Sequence, residues 1–209
     1  MTPPPDDAIA VHVVDDDAAI RDSLDWLFGS RGLTVRSWDS GEAFLAAWSP
    51  RMRGCVVLDV RMHGLSGLDV LDRLERLGSI LPVVVLTGHG DVPVAVQSLK
   101  KGAVDFMEKP VDGGELVTRV LAALDLENRR HATATASRAV EERLASLSPR
   151  EREVMDRMLD GLLNKQIADD LGIAMRTVEV HRARILEKFG VRSAIELAGR
   201  LADLRRPPG

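Results

Sequence analysis

Over the first 125 or so residues, short apolar runs alternate with segments of helical period. VHVV (11–14) is an apolar run that ends in Asp15, Asp16 and Asp17. Ile20, Leu24, Leu27 and Phe28 then recur at helical spacing, and Gly32 closes the pattern. LTVRSW (33–38) reads as a strand and SGEAFLAAW (40–48) as a helix capped by Ser40. The same alternation continues through CVVLDV (55–60, strand), GLDVLDRLERLG (67–78, helix), PVVVLTG (82–88, strand) and DVPVAVQSLKKG (91–102, helix). AVDFMEKP (103–110) is a strand ending at Lys109, and a helix follows from about Gly113. Five strands alternating with five helices imply right-handed βαβ crossovers and a parallel sheet covered on both faces. VHVV, CVVLDV and PVVVLTG are apolar in the manner of strands buried on both sides.

After Gly114 there is no proline until Pro149, and the segment is rich in Ala, Leu, Glu and Arg. It predicts one long helix continuing past Leu126, or two helices. Thr and Ser in HATATAS (131–137) weaken the pattern, so the break or flexible point is expected there. From Ser148 to Leu204 the pattern is all-helical. The expected fold is α/β, a doubly wound five-stranded parallel sheet, followed by an all-α helix-turn-helix domain. The expected boundaries are 1–126, a linker expected to be helical at 127–145, and 146–209.

The 209 residues suit one large domain or two small ones, and 45% hydrophobic with 29% charged residues excludes wholesale disorder and collagen-like repeats. No stretch approaches 18 uninterrupted apolar residues, and MTPPPDD at the start has neither the basic nor the apolar part of a secretory signal. A cytoplasmic protein that does not engage a membrane is expected. Cys55 is the single cysteine, which excludes a disulfide framework. Residues 1–145 hold 16 Lys+Arg against 22 Asp+Glu, whereas 146–209 hold 12 against 10. An acidic front and a mildly basic back suggest two modules with different partners, or only sampling noise.

In a doubly wound sheet, ligands collect at the carboxyl ends of the strands. Asp15, Asp16 and Asp59 end the first and third strands, neighbours in a 2-1-3-4-5 order. Three converging carboxylates repel one another without a cation, and an all-oxygen set suits Mg²⁺. Thr87 and Lys109 end the fourth and fifth strands on the same edge. Carboxylates, a hydroxyl and an ammonium together can accept a phosphoryl group. Each feature alone has an ordinary explanation, since a DDD run also caps a helix N-terminus. All five at successive strand ends are harder to attribute to chance.

VVDDD, LDVRM with GLSG, TG and EKP together resemble the receiver domain of two-component response regulators over roughly residues 9–126. GHGDVPVAVQSLKKGAVDFMEKP (88–110) is similar to the FixJ group in particular. The resemblance implies a flavodoxin-like fold with Asp59 as phosphoacceptor and Asp16 as a direct Mg²⁺ ligand. It makes Asp15 a ligand mostly through water and the Arg61 backbone carbonyl the third protein ligand. Thr87 becomes the switch hydroxyl, Phe106 the switch aromatic and Lys109 the phosphate-binding lysine. His63 stands where the family usually has proline; it loosens the loop and adds a titratable group, or it is a surface histidine without consequence. His89, two residues after Thr87, is a position that could affect water access.

In the last 64 residues, Ser148, Pro149 and Glu151 form a capping box with proline at the first helical position. NKQIADDLGI (164–173) is a short helix ended by Gly172, which turns sharply into a second helix, AMRTVEVHRARILEKFG (174–190). Val178, Ile185 and Phe189 can face a core. Helix, glycine turn and basic helix make a helix-turn-helix, although a plain three-helix bundle looks similar. The full string resembles the LuxR-type effector domain of the FixJ/NarL family over about 146–204. That resemblance places 175–188 in the major groove of double-stranded DNA, with Glu179, Val180 and Ala183 facing base edges. Glu179 either accepts from cytosine or pairs with Arg182. Lys165, Arg176, Thr177, Arg184 and Lys188 are the expected phosphate contacts. The helix at 193–204, with Ile195, Leu197 and Leu201, either dimerises or packs the core.

The implied protein is a phosphorylation-controlled transcriptional regulator, not an enzyme. Its expected partners are a sensor histidine kinase, DNA, a second copy on phosphorylation, and RNA polymerase. A phosphatase of the haloacid type needs a second acid two residues after the nucleophile, and that position is Arg61. A constitutive regulator whose receiver only dimerises would not need the acidic set. There is no GxxxxGK[ST] loop for direct use of ATP.

Overall fold

The computed structural model describes residues 8–88 and 92–203. Two compact units divide the chain, Met1–His131 and Ala132–Gly209.

The first unit runs β1 (Ile9–Val14), α1 (Ala18–Gly29), β2 (Val35–Trp38), α2 (Gly41–Ala47), β3 (Arg53–Asp59), α3 (Gly67–Arg76), β4 (Val83–Thr87), α4 (Val92–Lys100), β5 (Asp105–Glu108) and the first part of α5 (Gly113–Ala145), whose residues from Ala132 on belong to the second unit. All pairings are parallel, in the order β2-β1-β3-β4-β5. Side chains alternate across the strands, so each strand feeds two cores. Val11, Val13, Cys55, Val57, Val84 and Leu86 pack with Leu24 and Phe28 of α1 and with Leu116 and Val120 of α5. Val14, Val56, Leu58, Val83 and Val85 pack on the other face with Phe44 of α2 and with Val70 and Leu74 of α3. This double burial is why Cys55–Leu58 of β3, Val83–Leu86 of β4 and, apart from the buried His12, all of β1 are apolar.

Two boundaries differ from the pattern. α1 ends at Gly29 with Ser30 as C-cap, and Gly32 sits with positive φ in the turn beyond it. The break expected at 131–137 is absent, because α5 is helical through all 33 of its residues. Ala132, Ala134 and Ala136 alternate with the Thr and Ser residues there. Each hydroxyl residue costs at most about 0.7 kcal/mol relative to alanine, and neither glycine nor proline intervenes.

The second unit holds α6 (Pro149–Leu159), α7 (Asn164–Leu171), α8 (Met175–Phe189) and α9 (Ala194–Asp203). Val154, Met155, Ile167, Val178, Ile185, Phe189 and Leu197 form its core. The capping box at the start of α6 is present: Ser148 accepts from the Glu151 amide, and the Glu151 carboxylate accepts from the Ser148 amide. Glu151 is buried and also accepts from Lys188 of α8 at 2.7 Å. That ammonium, then the Ser148 amide, pulls the Glu151 carboxyl down to about 2.

The sign follows from the depressed value. The stabilisation is fully present above the ordinary glutamate value of about 4.5 and is lost as the pH falls from there toward about 2. The protection factors of the α6 amides, measured against the intrinsic exchange rate at each pH, should fall through that window in the wild-type chain. In Glu151→Gln the dependence should flatten, with a pH-independent loss of about 1–2 kcal/mol in its place. An unchanged profile in the variant would show that another group governs acid lability.

Candidate functional site

The DDD run at the end of β1 is divided between two tasks. Asp17 is the N-cap of α1 and accepts from the Ala19 amide at 2.8 Å. Asp15 and Asp16 instead turn toward Asp59 at the end of β3, and one ligand atom from each of the three lies within 4.8 Å of the others. β1 and β3 are paired neighbours, so the convergence follows from the register Val14↔Leu58. Lys109, which follows β5, donates to Asp15 Oδ2 and pairs with Asp59 Oδ1, both at 2.8 Å. Asp15 is also fixed from behind: its Oδ1 accepts from the Asp17 amide, and its carbonyl accepts from Arg21.

Asp59 is 6% exposed. Burial pushes its carboxyl up, the Lys109 contact pulls it down, and the charges of Asp15 and Asp16 push it up again; the net is above the usual carboxylate range. Burial works against the Lys109 charge as well, but its bonds to Asp15 and Asp59 outweigh that and raise it above an ordinary lysine. One ammonium thus serves two of the three carboxylates. The donor set is all oxygen and acidic, which fits a small hard divalent cation.

The loop after β3, which contains Arg61, is held at two points. The Leu65 amide donates to Glu42 Oε1 of α2 at 2.9 Å. His63 approaches Asp16 twice: its backbone amide donates to Oδ2 at 2.9 Å, and its Nδ1 lies 2.5 Å from the same oxygen. These two contacts, the amide first, hold the Asp16 carboxyl below the usual range. His63 is thus a surface residue that touches a carboxylate of the site. Neither the Glu42 nor the His63 contact was visible in spacing, because each joins residues far apart in the chain. Thr87 is buried at the end of β4 and donates its hydroxyl to the Gly88 carbonyl at 3.0 Å. Phe106 on β5 is 39% exposed. His89 lies outside the described residues.

In the second unit, α7 ends at Gly172, whose φ of 63° gives the left-handed turn into α8. On α8, Val178, Ile185 and Phe189 face the core. Helical spacing then sets Arg176, Val180 and Ala183 on the opposite side, and all three are exposed. Lys165, Thr177 and Arg184 are exposed as well. Neither α7 nor α8 has a side chain bonded to its first amides as an N-cap.

Three expectations need correction. Lys188 is not a free phosphate contact: its ammonium is committed to Glu151 and to the Ser146 carbonyl at 2.8 Å. Glu179 pairs one turn back with Arg176 at 3.3 Å and not forward with Arg182. On α9 the apolar residues separate, with Leu197 buried and Leu201 packed on the core while Ile195 is 85% exposed.

The sequence matches the family described as "Response regulator receiver domain" over residues 11–121 and "Bacterial regulatory proteins, luxR family" over 145–201. It is 53% identical over 193 residues to the C4-dicarboxylate transport transcriptional regulatory protein DctR of Rhodobacter capsulatus, covering 91% of this chain and 98% of that protein. It is 47% identical over 191 residues to the transcriptional regulatory protein FixJ of Azorhizobium caulinodans, covering 91% and 90%. Among solved structures, the response regulator StyR superposes with a TM-score of 0.85 at 38% identity, covering 92% of this chain and 98% of that one. Full-length FixJ from B. japonicum gives 0.57 at 42% identity, covering 93% and 96%.

Proposed function

This chain belongs to the two-component response regulators that join a receiver domain to a luxR-type DNA-binding domain, and from that premise we propose that it accepts a phosphoryl group on Asp59 from a histidine kinase and binds DNA as a dimer. The observation that carries the reading is the convergence of Asp15, Asp16, Asp59 and Lys109 on one sheet edge. We assign residues 1–126 to the receiver, 127–145 to a helical connection and 146–209 to the DNA-binding domain. No helix among the described residues is long and apolar enough to cross a membrane. We place the protein in the cytoplasm, as a regulator and not an enzyme, with RNA polymerase as a further partner.

Asp15, Asp16, Asp59 and the Arg61 backbone carbonyl would hold Mg²⁺, which when bound neutralises charge on phosphoryl oxygens. An Asp59 oxygen attacks phosphorus as the bond to the donor nitrogen breaks, and the proton needed by the leaving imidazole comes from solvent. Lys109 exchanges a carboxylate partner for a phosphoryl oxygen. Thr87 leaves the Gly88 carbonyl to donate to another, and Phe106 turns into the space it vacates. To move the population about 50-fold, the phosphoryl group must favour the second state by about 2–3 kcal/mol. The changed surface of α4, β5 and α5 pairs two copies, which brings two recognition helices to one two-fold DNA site.

The test is phosphorylation of the full-length chain by a small-molecule phosphodonor with Mg²⁺, followed by sizing and DNA binding. The phosphorylated protein should be larger and should bind specific duplex more tightly. Phosphorylation with neither change would overturn the coupling. In the same assay, Arg184→Ala should weaken binding to all sequences alike and flatten the slope of log K against log salt by about one unit. Val180→Ala should leave the slope alone and relax the preference at one base pair by about 1 kcal/mol. The opposite pattern would mean that α8 is rotated in the groove.

A further inference from the structure

We propose that His63 is a latch on the acidic site: its backbone amide and its ring hold one oxygen of Asp16, and a divalent cation binds in competition with that hold. The inference rests on the reading of Asp16 as a cation ligand.

A carboxylate oxygen has two in-plane lone pairs. Asp16 Oδ2 meets two nitrogens of one residue: the His63 amide donates to it at 2.9 Å, and Nδ1 lies 2.5 Å away and donates whenever that nitrogen carries the ring proton. A cation approaching Asp16 must displace one of them or bind through Oδ1. Oδ1 belongs to a carboxylate whose electron density both bonds draw down. An oxygen whose lone pairs are already shared with donors is a weaker ligand for a hard cation. Lys109 is shared by Asp15 and Asp59, so His63 is the group that meets the third carboxylate.

The two halves of the latch differ in what opens them. The ring is fully solvent-exposed apart from this contact, so a side-chain rotation releases it. The amide opens only if the loop shifts at residue 63. Leu65, two residues on, is tied independently to Glu42. The loop can therefore part from Asp16 while it stays fixed to α2. A residue without an amide hydrogen at position 63 could form neither contact, which makes the histidine in place of the usual proline a determinant of cation affinity.

Calorimetric titration of the full-length protein with Mg²⁺ alone, at one fixed pH, tests this. His63→Ala should bind Mg²⁺ about three- to tenfold more tightly, the equilibrium equivalent of one such hydrogen bond. His63→Pro, which loses both contacts, should tighten binding at least as much. In the wild type, Mg²⁺ should speed hydrogen exchange at the His63 amide and leave the Leu65 amide unchanged. If His63 instead braces Asp16 for the cation, both variants will bind more weakly and the His63 amide will become better protected; that result overturns the latch. Equal affinities in all three proteins overturn it too. Asp16→Asn separates the two levels: it should weaken binding at least tenfold on the cation-ligand reading. If it keeps wild-type affinity, Asp16 is not a ligand and the latch falls with that reading. If it loses affinity while the His63 variants do not change, the latch alone is wrong.

Discussion

Asp59→Asn is expected to end phosphoryl uptake altogether while the fold survives. The amide has nearly the shape of the carboxylate, so the buried end of β3 keeps its packing among Leu58, Val60 and Leu86. The amide cannot attack phosphorus, because its oxygen carries no full charge and its nitrogen has no available pair. It also removes one of three mutually repelling charges and one of the two carboxylates shared by Lys109. Stability should therefore change little, because lost attraction to Lys109 and relieved repulsion oppose each other. Mass spectrometry after treatment with a small phosphodonor is the measurement. Stoichiometric label on the variant would make another side chain the acceptor.

Gly67→Ala should be the most damaging single methyl group near the site. Gly67 opens α3, and its amide donates to the Val60 carbonyl at 3.0 Å. A Cβ there would lie 2.8 Å from Val60 Cα and closer still to the Asp59 carbonyl oxygen. Both are backbone atoms of the segment that carries the acceptor, so neither can rotate away. Relieving the overlap means moving α3 or the end of β3, at a cost of about 3 kcal/mol. Urea denaturation should show that loss, and phosphoryl uptake should fall with it as Asp59 leaves its alignment with Asp15. Gly29→Ala is the control. Its Cβ would meet nothing within 4 Å at the end of α1, and the change should be neutral or stabilising by up to about 0.5–1 kcal/mol. Equal losses at both positions would mean that backbone crowding is not the cause.

The site was legible because this topology puts ligands at strand ends, and buried parallel strands announce their ends by the first charged residue. Asp15 and Asp59 each stop an apolar run, whereas Lys109 comes one residue after Glu108 at the end of β5. The capping box at Ser148 and the turn at Gly172 were legible for a related reason, since local backbone geometry selects residue type at fixed offsets. The long-range polar pairs were not. His63 meets Asp16 across 47 positions and Lys188 meets Glu151 across 37, and no periodicity carries such a distance. Lys188 looked like any basic residue on a polar helix side until its partner on α6 was known. Glu179 had arginines at both three before and three after, equally placed on a helix, and only the rotamers choose between them. The uninterrupted α5 shows how weak a prior propensity is when no breaker is present.

β5 is hydrogen-bonded on one side only, to β4. Every interior strand of the sheet would have to break two ladders to move; this one breaks a single short ladder. β2 at the opposite edge is held the same way, by β1 alone; local opening at either edge costs the sheet less than opening an interior strand. β5 carries Phe106, and Lys109 follows directly from its end. One fraying event would withdraw the ammonium from Asp15 and Asp59 and shift the aromatic side chain at the same time. The residue that would neutralise the site and the residue that would signal its state thus belong to one edge segment, the last strand to join the sheet in chain order, whereas the other edge, β2, carries neither.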